Sequence, residues 1–308
     1  MSVVKDLCIV GTGPAGLTAA VYAARYKVDQ VLVGELDGGL MSSSHKICNY
    51  PSEIDISGMD LTEKMLANVR HLGVPQKFGS IIAIDRDGDK FKVEFSSKET
   101  ILAKQVILAT GTTHRHLGLE REEELTGKGV SYCATCDAMF YAGKTVAVVG
   151  GSDSANTAAL YLARVAEKVY QIYRGDQLRG EVAWIDQVKQ HPKIELLYNT
   201  DVTKLNGVER LESVELSQEL NGSKILKLDG LFIEAGSKPD MTLIHHLGLE
   251  TDEAGYIKTA SNQATSQAGV WAAGDITTNS DSFRQIVTAC AEGAIAARSV
   301  YTHLQKNS

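Results

Sequence analysis

Apolar and polar positions alternate along the chain in strand, turn and helix blocks. Residues 6–10, Asp-Leu-Cys-Ile-Val, form a short apolar run that predicts a buried strand. Gly11-Thr-Gly13-Pro14-Ala15-Gly16 follows at once and opens a helical stretch through Arg25. A second strand is expected from Gln30 to Val33. Leu61, Met65, Val69 and Leu72 make a helical stripe within residues 59–72, and Phe91, Val93 and Phe95 alternate with Lys92, Glu94 and Ser96 as a strand with one wet face. An apolar strand at 105–109 leads into Thr110-Gly111-Thr112, and residues 231–239 end another strand in turn residues. Gly269 to Asp275 reads as a last strand, and an alanine-rich helix is expected from Ser282 onward. The polar stretch Tyr301–Ser308 is expected to fray.

The sequence also repeats itself. Placing Gly11 on Gly150 gives an offset of 150 − 11 = 139, and Thr18–Arg25 then falls on Thr157–Arg164 without a gap. The same offset places Glu35 on Arg174. Each half therefore carries a strand, a phosphate turn, a helix and a second-strand terminus, which implies two dinucleotide sites. In the first copy Gly11 makes the turn, Gly13 lets backbone approach a pyrophosphate, and Gly16 lets helix pack on strand. The backbone N–H groups at the helix N-terminus then face the phosphates. Glu35 suits a ribose hydroxyl and Arg174 a ribose phosphate, which assigns a flavin dinucleotide to the first copy and an NADP-like one to the second. The second copy reads Gly150-Gly151-Ser152-Asp153-Ser154-Ala155. Ser152 stands where Gly13 admits pyrophosphate, and its Cβ crowds the ligand; Ala155 in place of the third glycine is tolerable. The fold class is α/β, with two Rossmann-like, three-layer dinucleotide-binding domains and the second inserted into the first. The crossing near 111–116 and the return near 231–239 divide the chain into 1–113 with 239–308, and 114–238.

Composition narrows the function. Among 308 residues the charge count gives −7, an ordinary globular balance and a poor one for holding nucleic acid. No apolar run approaches the ~20 residues of a membrane helix, and Met1-Ser-Val-Val-Lys-Asp lacks the features of a signal peptide, so a cytoplasmic protein without a membrane partner is expected. Among five cysteines, Cys133-Ala-Thr-Cys136 has the spacing of a small, reversible disulfide. The alternative, half a zinc site, needs four ligands, and there is no second CxxC or HxxxH, so no metal is expected. Cys8 and Cys290 read as small core residues, and Cys48 lies in a loop without an assigned role.

With these motifs in place, the chain resembles the low-molecular-weight thioredoxin reductases along nearly its full length. The resemblance rests on Gly11–Gly16, Ala109-Thr110-Gly111, Gly129-Val-Ser-Tyr-Cys133-Ala-Thr-Cys136-Asp137, Gly274-Asp275 and Arg284-Gln285-Ile286-Val-Thr288. It implies a homodimeric FAD enzyme that reduces a thioredoxin-like protein. By that pattern Cys136 faces the flavin, Cys133 exchanges with the substrate disulfide, and Asp137 handles the proton. Asn49, Asp275, Arg284 and Gln285 match flavin-contacting positions. A carboxylate at Asp275 also suits a ribityl hydroxyl on its own chemistry, whereas Arg284 alone reads as a surface charge.

The chain departs from the family at Tyr173-Arg174-Gly175-Asp-Gln-Leu-Arg179, where relatives carry His-Arg-Arg and a later Arg, and at Leu40-Met41, where they carry Gln-Leu. One missing guanidinium contact costs about 1.5–3 kcal/mol, or one to two powers of ten in NADPH affinity. NADPH and reduced ferredoxin are therefore both expected donors, with NADH third. Two other readings are an oxygen-dependent dithiol oxidase acting on a small molecule, and a flavin-binding sensor without catalysis. Asp137 after an intact cysteine pair favours the reductase.

Overall fold

The computed structural model describes residues 4–306 and divides into two units, Met1–Thr113 with Lys238–Ser308, and His114–Ser237. The connecting segments Thr113–His114 and Ser237–Lys238 pair with each other as a two-stranded ribbon.

In the first unit the most apolar strand, Lys5–Val10, lies centrally, flanked in parallel by Gln30–Gly34 and Thr100–Leu108. Gln76–Phe78 extends the sheet beyond Gln30–Gly34. Thr100–Leu108 starts earlier than its apolar half because the strand is shared. Its first half pairs antiparallel with Lys90–Phe95, as in Phe91↔Ala103, and its second half parallel with Val270–Ala272, as in Val270↔Val106. Ile81–Asp87 closes the hairpin with Lys90–Phe95. Side chains leave the central strand alternately, so Leu7 and Ile9 join one buried cluster with Leu17, Ile107 and Ala296, while Cys8 and Val10 join the other with Val33, Phe91 and Val93. A sheet with a core on each face is the result.

Helix Pro14–Arg25 opens on a proline, whose missing N–H costs nothing in the first turn. Helix Gly58–His71 is capped by Ser57, whose Oγ accepts from the Asp60 N–H at 3.1 Å. The last helix begins at Ile286 rather than at Ser282, because Ser280–Ser282 makes a separate 3₁₀ turn and the Gln285 N–H is taken by Thr288 Oγ1 at 3.0 Å. It continues to Lys306, so the terminus does not fray there as expected. Tyr301 stacks on Tyr26 with ring centroids 4.7 Å apart, and His303 meets Trp271 edge-on. Asn307 and Ser308, also part of that expectation, lie outside the described residues.

In the second unit five parallel strands run in the order Ile194–Leu197, Lys168–Ile172, Thr145–Val149, Gly230–Ile233 and Val130–Ser131. Val146, Val148 and Phe232 pack on helix Asp153–Leu162 through Ala155, Ala159 and Leu162. The opposite face is covered by an antiparallel sheet of Val202–Asn206, Ser213–Leu220 and Ser223–Lys227, which the sequence pattern did not single out.

The closest packing in the first unit is glycine against backbone. A Cβ on Gly293 would overlap the carbonyl oxygen of Ala15, so the last helix and helix Pro14–Arg25 touch along their main chains. Gly293→Ala should therefore push the helices apart and cost about 1–3 kcal/mol, read as a lower denaturant midpoint. An unchanged midpoint would contradict this packing.

Candidate active site

The cysteine pair sits in a turn anchored from both ends. Strand Val130–Ser131 delivers the chain to Cys133, which caps the single helical turn Ala134–Asp137. Ala134 and Ala138 bury themselves in the cluster of Ala155, Ala158 and Ala159 on helix Asp153–Leu162. Cys133 and Cys136 are joined as a disulfide with Cα atoms 5.3 Å apart. The Cys136 N–H donates to Cys133 Sγ at 3.2 Å, the Cys133 N–H donates to Ser131 Oγ at 3.1 Å, and the Asp137 N–H donates to the Cys133 carbonyl at 3.2 Å. Cys136 is exposed, while Cys133 and Asp137 are half-buried.

Tyr132, immediately before the pair, is held by a buried carboxylate. Its hydroxyl donates to Glu122 and meets His116 Nδ1 at 2.9 Å. Burial pushes Glu122 up, but hydrogen bonds from Tyr132 and from the backbone N–H groups of Leu117, Leu119 and Gly118 outweigh it and hold the carboxyl below its usual range. Burial and that same carboxylate push the Tyr132 phenol up.

The first unit's glycine turn is open. Gly11 has φ +116°, and a Cβ there would overlap the Ala109 carbonyl; a Cβ on Gly16 would overlap the carbonyl of Gly11. A Cβ on Gly13, by contrast, would meet nothing nearer than the Gly38 carbonyl oxygen at 3.9 Å. Thr12 ties the turn to the next loop, donating from Oγ1 to Leu36 O at 2.9 Å and accepting at its carbonyl from the Gly38 N–H at 2.8 Å. Glu35 is exposed at the end of Gln30–Gly34. On the same unit Asn49 Nδ2 donates to Gln285 Oε1 at 3.1 Å, joining residues 236 positions apart. Arg284 is not a free surface charge: it is half-buried, its Nε donates to the Asp275 carbonyl at 3.2 Å, and its guanidinium lies 3.7 Å from the Tyr256 ring centroid. Burial pushes the Asp275 carboxyl up, and Arg284 draws it partly back. Exposed Thr110 and half-buried Gly111, the latter at φ +62°, follow strand Thr100–Leu108, and Ile286 starts the last helix. Thr112 Oγ1 is buried with no hydrogen-bond partner among the described residues. A turn with an open second glycine, an exposed acid and an unpaired buried hydroxyl fits a flavin dinucleotide.

The second turn has the same backbone and different contents. Gly150 has φ +149°, and a Cβ there would overlap the Glu234 carbonyl; the position of Gly151 is covered by the Tyr173 ring. Ser152 stands at the N-cap position of helix Asp153–Leu162 without a side-chain capping bond, and Ala155 is fully buried behind it. The Arg179 N–H donates to Gly151 O at 2.6 Å, Asn156 Nδ2 to Arg179 O at 3.1 Å, and the Glu181 N–H to Asp153 Oδ1 at 2.7 Å. Segment 179–181 is thereby strapped to the turn. Arg174 is exposed, and Arg179 is exposed with its guanidinium over Tyr173. A side chain at Gly175 would meet Tyr173 Cε1 at 2.6 Å, so an arginine there must displace that ring.

Two strand, glycine and helix units with an exposed disulfide in one of them define an oxidoreductase that acts on disulfides. Residues 5–293 match the family described as pyridine nucleotide-disulphide oxidoreductase. The chain is 38% identical over 306 residues to a thioredoxin reductase of Listeria innocua, covering 98% of this chain and 95% of that one. Its structure is similar to that of Lactococcus lactis thioredoxin reductase, with a TM-score of 0.93, 35% identity and coverage of 98% and 99% of the two chains. A ferredoxin-flavin thioredoxin reductase from Clostridium acetobutylicum is similar at a TM-score of 0.53 and 29% identity, over 98% of each chain. The chain belongs to the pyridine nucleotide-disulphide oxidoreductases and, within them, to the thioredoxin reductase family. No helix among the described residues is long and apolar enough to cross a membrane.

Sequence reasoning missed two buried acids. Glu122 is hidden in the run Arg121-Glu-Glu-Glu124, which looks like a solvated face. Glu292 had a visible signal, as the single charge between Ile286 and Ala297 of an apolar helix. Its carboxylate accepts from the Gly274 N–H at 2.8 Å, Thr277 Oγ1 at 2.9 Å and Ser280 Oγ at 2.7 Å, which shapes the loop that carries Asp275. Glu292→Ala would strand those donors, at about 2–4 kcal/mol for the set. It should lower both the unfolding midpoint and the flavin retained per chain on purification. Full flavin content in the variant would contradict the role given to Glu292.

Proposed function

We propose that the protein is a flavin-dependent disulfide reductase that passes electrons through Cys133–Cys136 to a thioredoxin-like protein. The observation that carries this reading is the exposed disulfide turn in which Cys133 Sγ accepts the Cys136 N–H. FAD supplies the two electrons that open the disulfide. It would be held by Gly11–Gly16, Glu35, Asn49, Asp275, Arg284 and Gln285. Once the bond is open, the Cys136 N–H stabilises negative charge on Cys133, which favours Cys133 as thiolate and nucleophile. Cys133 attacks the substrate disulfide: a Cys133–substrate bond forms, the substrate S–S bond breaks, and one substrate sulfur leaves and takes a proton. Cys136 then attacks Cys133 Sγ, expels the second substrate sulfur as a thiol, and re-forms the starting disulfide. Asp137, next to Cys136, takes and returns the proton. The substrate gains two electrons and two protons.

Reduced ferredoxin is the donor in this reading. Ser152 and Gly175 oppose a tightly held NADPH or NADH, and only Arg174 and Arg179 favour one. The ferredoxin-flavin relative supports the same direction. The exchange chemistry is testable without any donor. Chemically reduced Cys136→Ser protein mixed with oxidised thioredoxin should accumulate a mixed disulfide through Cys133, visible as a covalent adduct that dithiothreitol releases, and Cys133→Ser should not. An adduct on Cys133→Ser alone, or on neither, would contradict the assignment.

A further inference from the structure

The two glycine turns can be matched atom by atom, and the match exposes a residue that the internal repeat hides. The Gly11 N–H donates to Val33 O at 2.7 Å, and the Gly150 N–H to Ile172 O at 2.9 Å. The Ala109 N–H donates to Val10 O at 2.7 Å, and the Glu234 N–H to Val149 O at 2.9 Å. The carbonyls of Ala109 and Glu234 close on Gly11 and Gly150 in the same way. Glu234 is therefore the counterpart of Ala109, at an offset of 234 − 109 = 125 rather than 139.

Strand alternation tells which face Glu234 is on. Leu231 and Ile233 belong to the cluster under the antiparallel sheet, while Phe232 belongs to the cluster of helix Asp153–Leu162. Period two puts Glu234 on the helix side, as Ile107 and Ala109 lie on the side of Ala15 and Leu17 in the first unit. At the same spot beside a phosphate turn, one unit has a methyl group and the other a carboxylate. The Glu234 carboxyl has no hydrogen-bond or ion-pair partner among the described residues, and desolvation pushes it up to about 7. The one acid on helix Asp153–Leu162 is Asp153, which also borders the turn and accepts from the Glu181 N–H. Neither Arg174 nor Arg179 pairs with these acids.

We propose that Glu234 is a specificity-determining residue, a carboxylate whose negative charge bars the pyrophosphate of a pyridine dinucleotide from the second unit's glycine turn. This rests on reading that unit as a dinucleotide fold within a disulfide reductase. It adds charge to the steric obstacle at Ser152, and it accounts for a turn whose backbone is intact while its chemistry is reversed. A pyrophosphate placed there would face an unpaired carboxylate at short range in a low-dielectric setting, a repulsion large enough to change affinity by an order of magnitude.

The test uses flavin-loaded, full-length protein and NADP⁺ binding by calorimetry at pH 8, where the carboxylate is charged. The background variant Ser152→Gly supplies the equivalent of Gly13. Adding Glu234→Ala or Glu234→Gln to it should each tighten NADP⁺ binding by at least about fivefold, while Glu219→Gln, on an exposed strand position, should not. Gains under fivefold, or no measurable binding in any variant, would overturn the proposal. A gain confined to the alanine variant would overturn it as well, because it would assign exclusion to bulk and not to charge. Glutamine keeps the size of Glu234, which guards against misfolding as the cause. Adduct formation through Cys133 does not involve Glu234, so its failure would mark a failure of the proposed function and not of this gate.

Discussion

Main-chain contact between a glycine turn and the end of the neighbouring strand is the constraint on which both units depend. The carbonyls of Ala109 and Glu234 occupy the space that a Cβ on Gly11 or Gly150 would need. Strand, turn and helix can close only if those two residues are glycine with positive φ, at +116° and +149°. That closure sets each helix against its sheet and aims the helix N–H groups over the strand ends. Loops elsewhere are then organised by single buried side chains. Glu292 gathers the Gly274–Ser280 loop, and Glu122 holds Tyr132 beside the cysteines.

The same backbone has been put to two uses. In the first unit the space beyond the turn stays open at Gly13. In the second unit Tyr173 covers Gly151, and segment 179–181 is bonded to the turn. The helix of that turn nevertheless retains a task that explains its persistence. Ala134 and Ala138 of the disulfide turn are packed on Ala155, Ala158 and Ala159. The helix is thus a platform for Cys133 and Cys136, whatever its N-terminus binds. Small residues allow this close approach, which is why Ala155 suits the position better than a larger side chain would.

Much of the fold was legible in the sequence because its signals are local. Glycine spacing marked both turns, apolar runs marked the central strands, and the alternation at Phe91, Val93 and Phe95 marked an antiparallel strand that is buried on one face. What escaped notice depends on tertiary contact. The sheet of residues 202–227 has short strands with mixed polarity, and the last helix starts where Thr288 and Gln285 bond, not where the alanines begin. Arg284 read as a surface charge because its partners, Tyr256 and the Asp275 carbonyl, are distant or unspecific in sequence. Glu234 was invisible for a different reason. Insertions between the two halves change the register from 139 to 125, so a single self-alignment cannot pair it with Ala109.

In the proposed function one glycine turn holds a dinucleotide and the other does not, and electrons would enter the flavin from a protein donor. Anaerobic titration of the flavin-loaded enzyme tests this most directly, with absorbance followed after mixing with NADPH or with reduced ferredoxin. Reduced ferredoxin should bleach the flavin rapidly and micromolar NADPH should bleach it little. Rapid bleaching by micromolar NADPH would contradict this assignment.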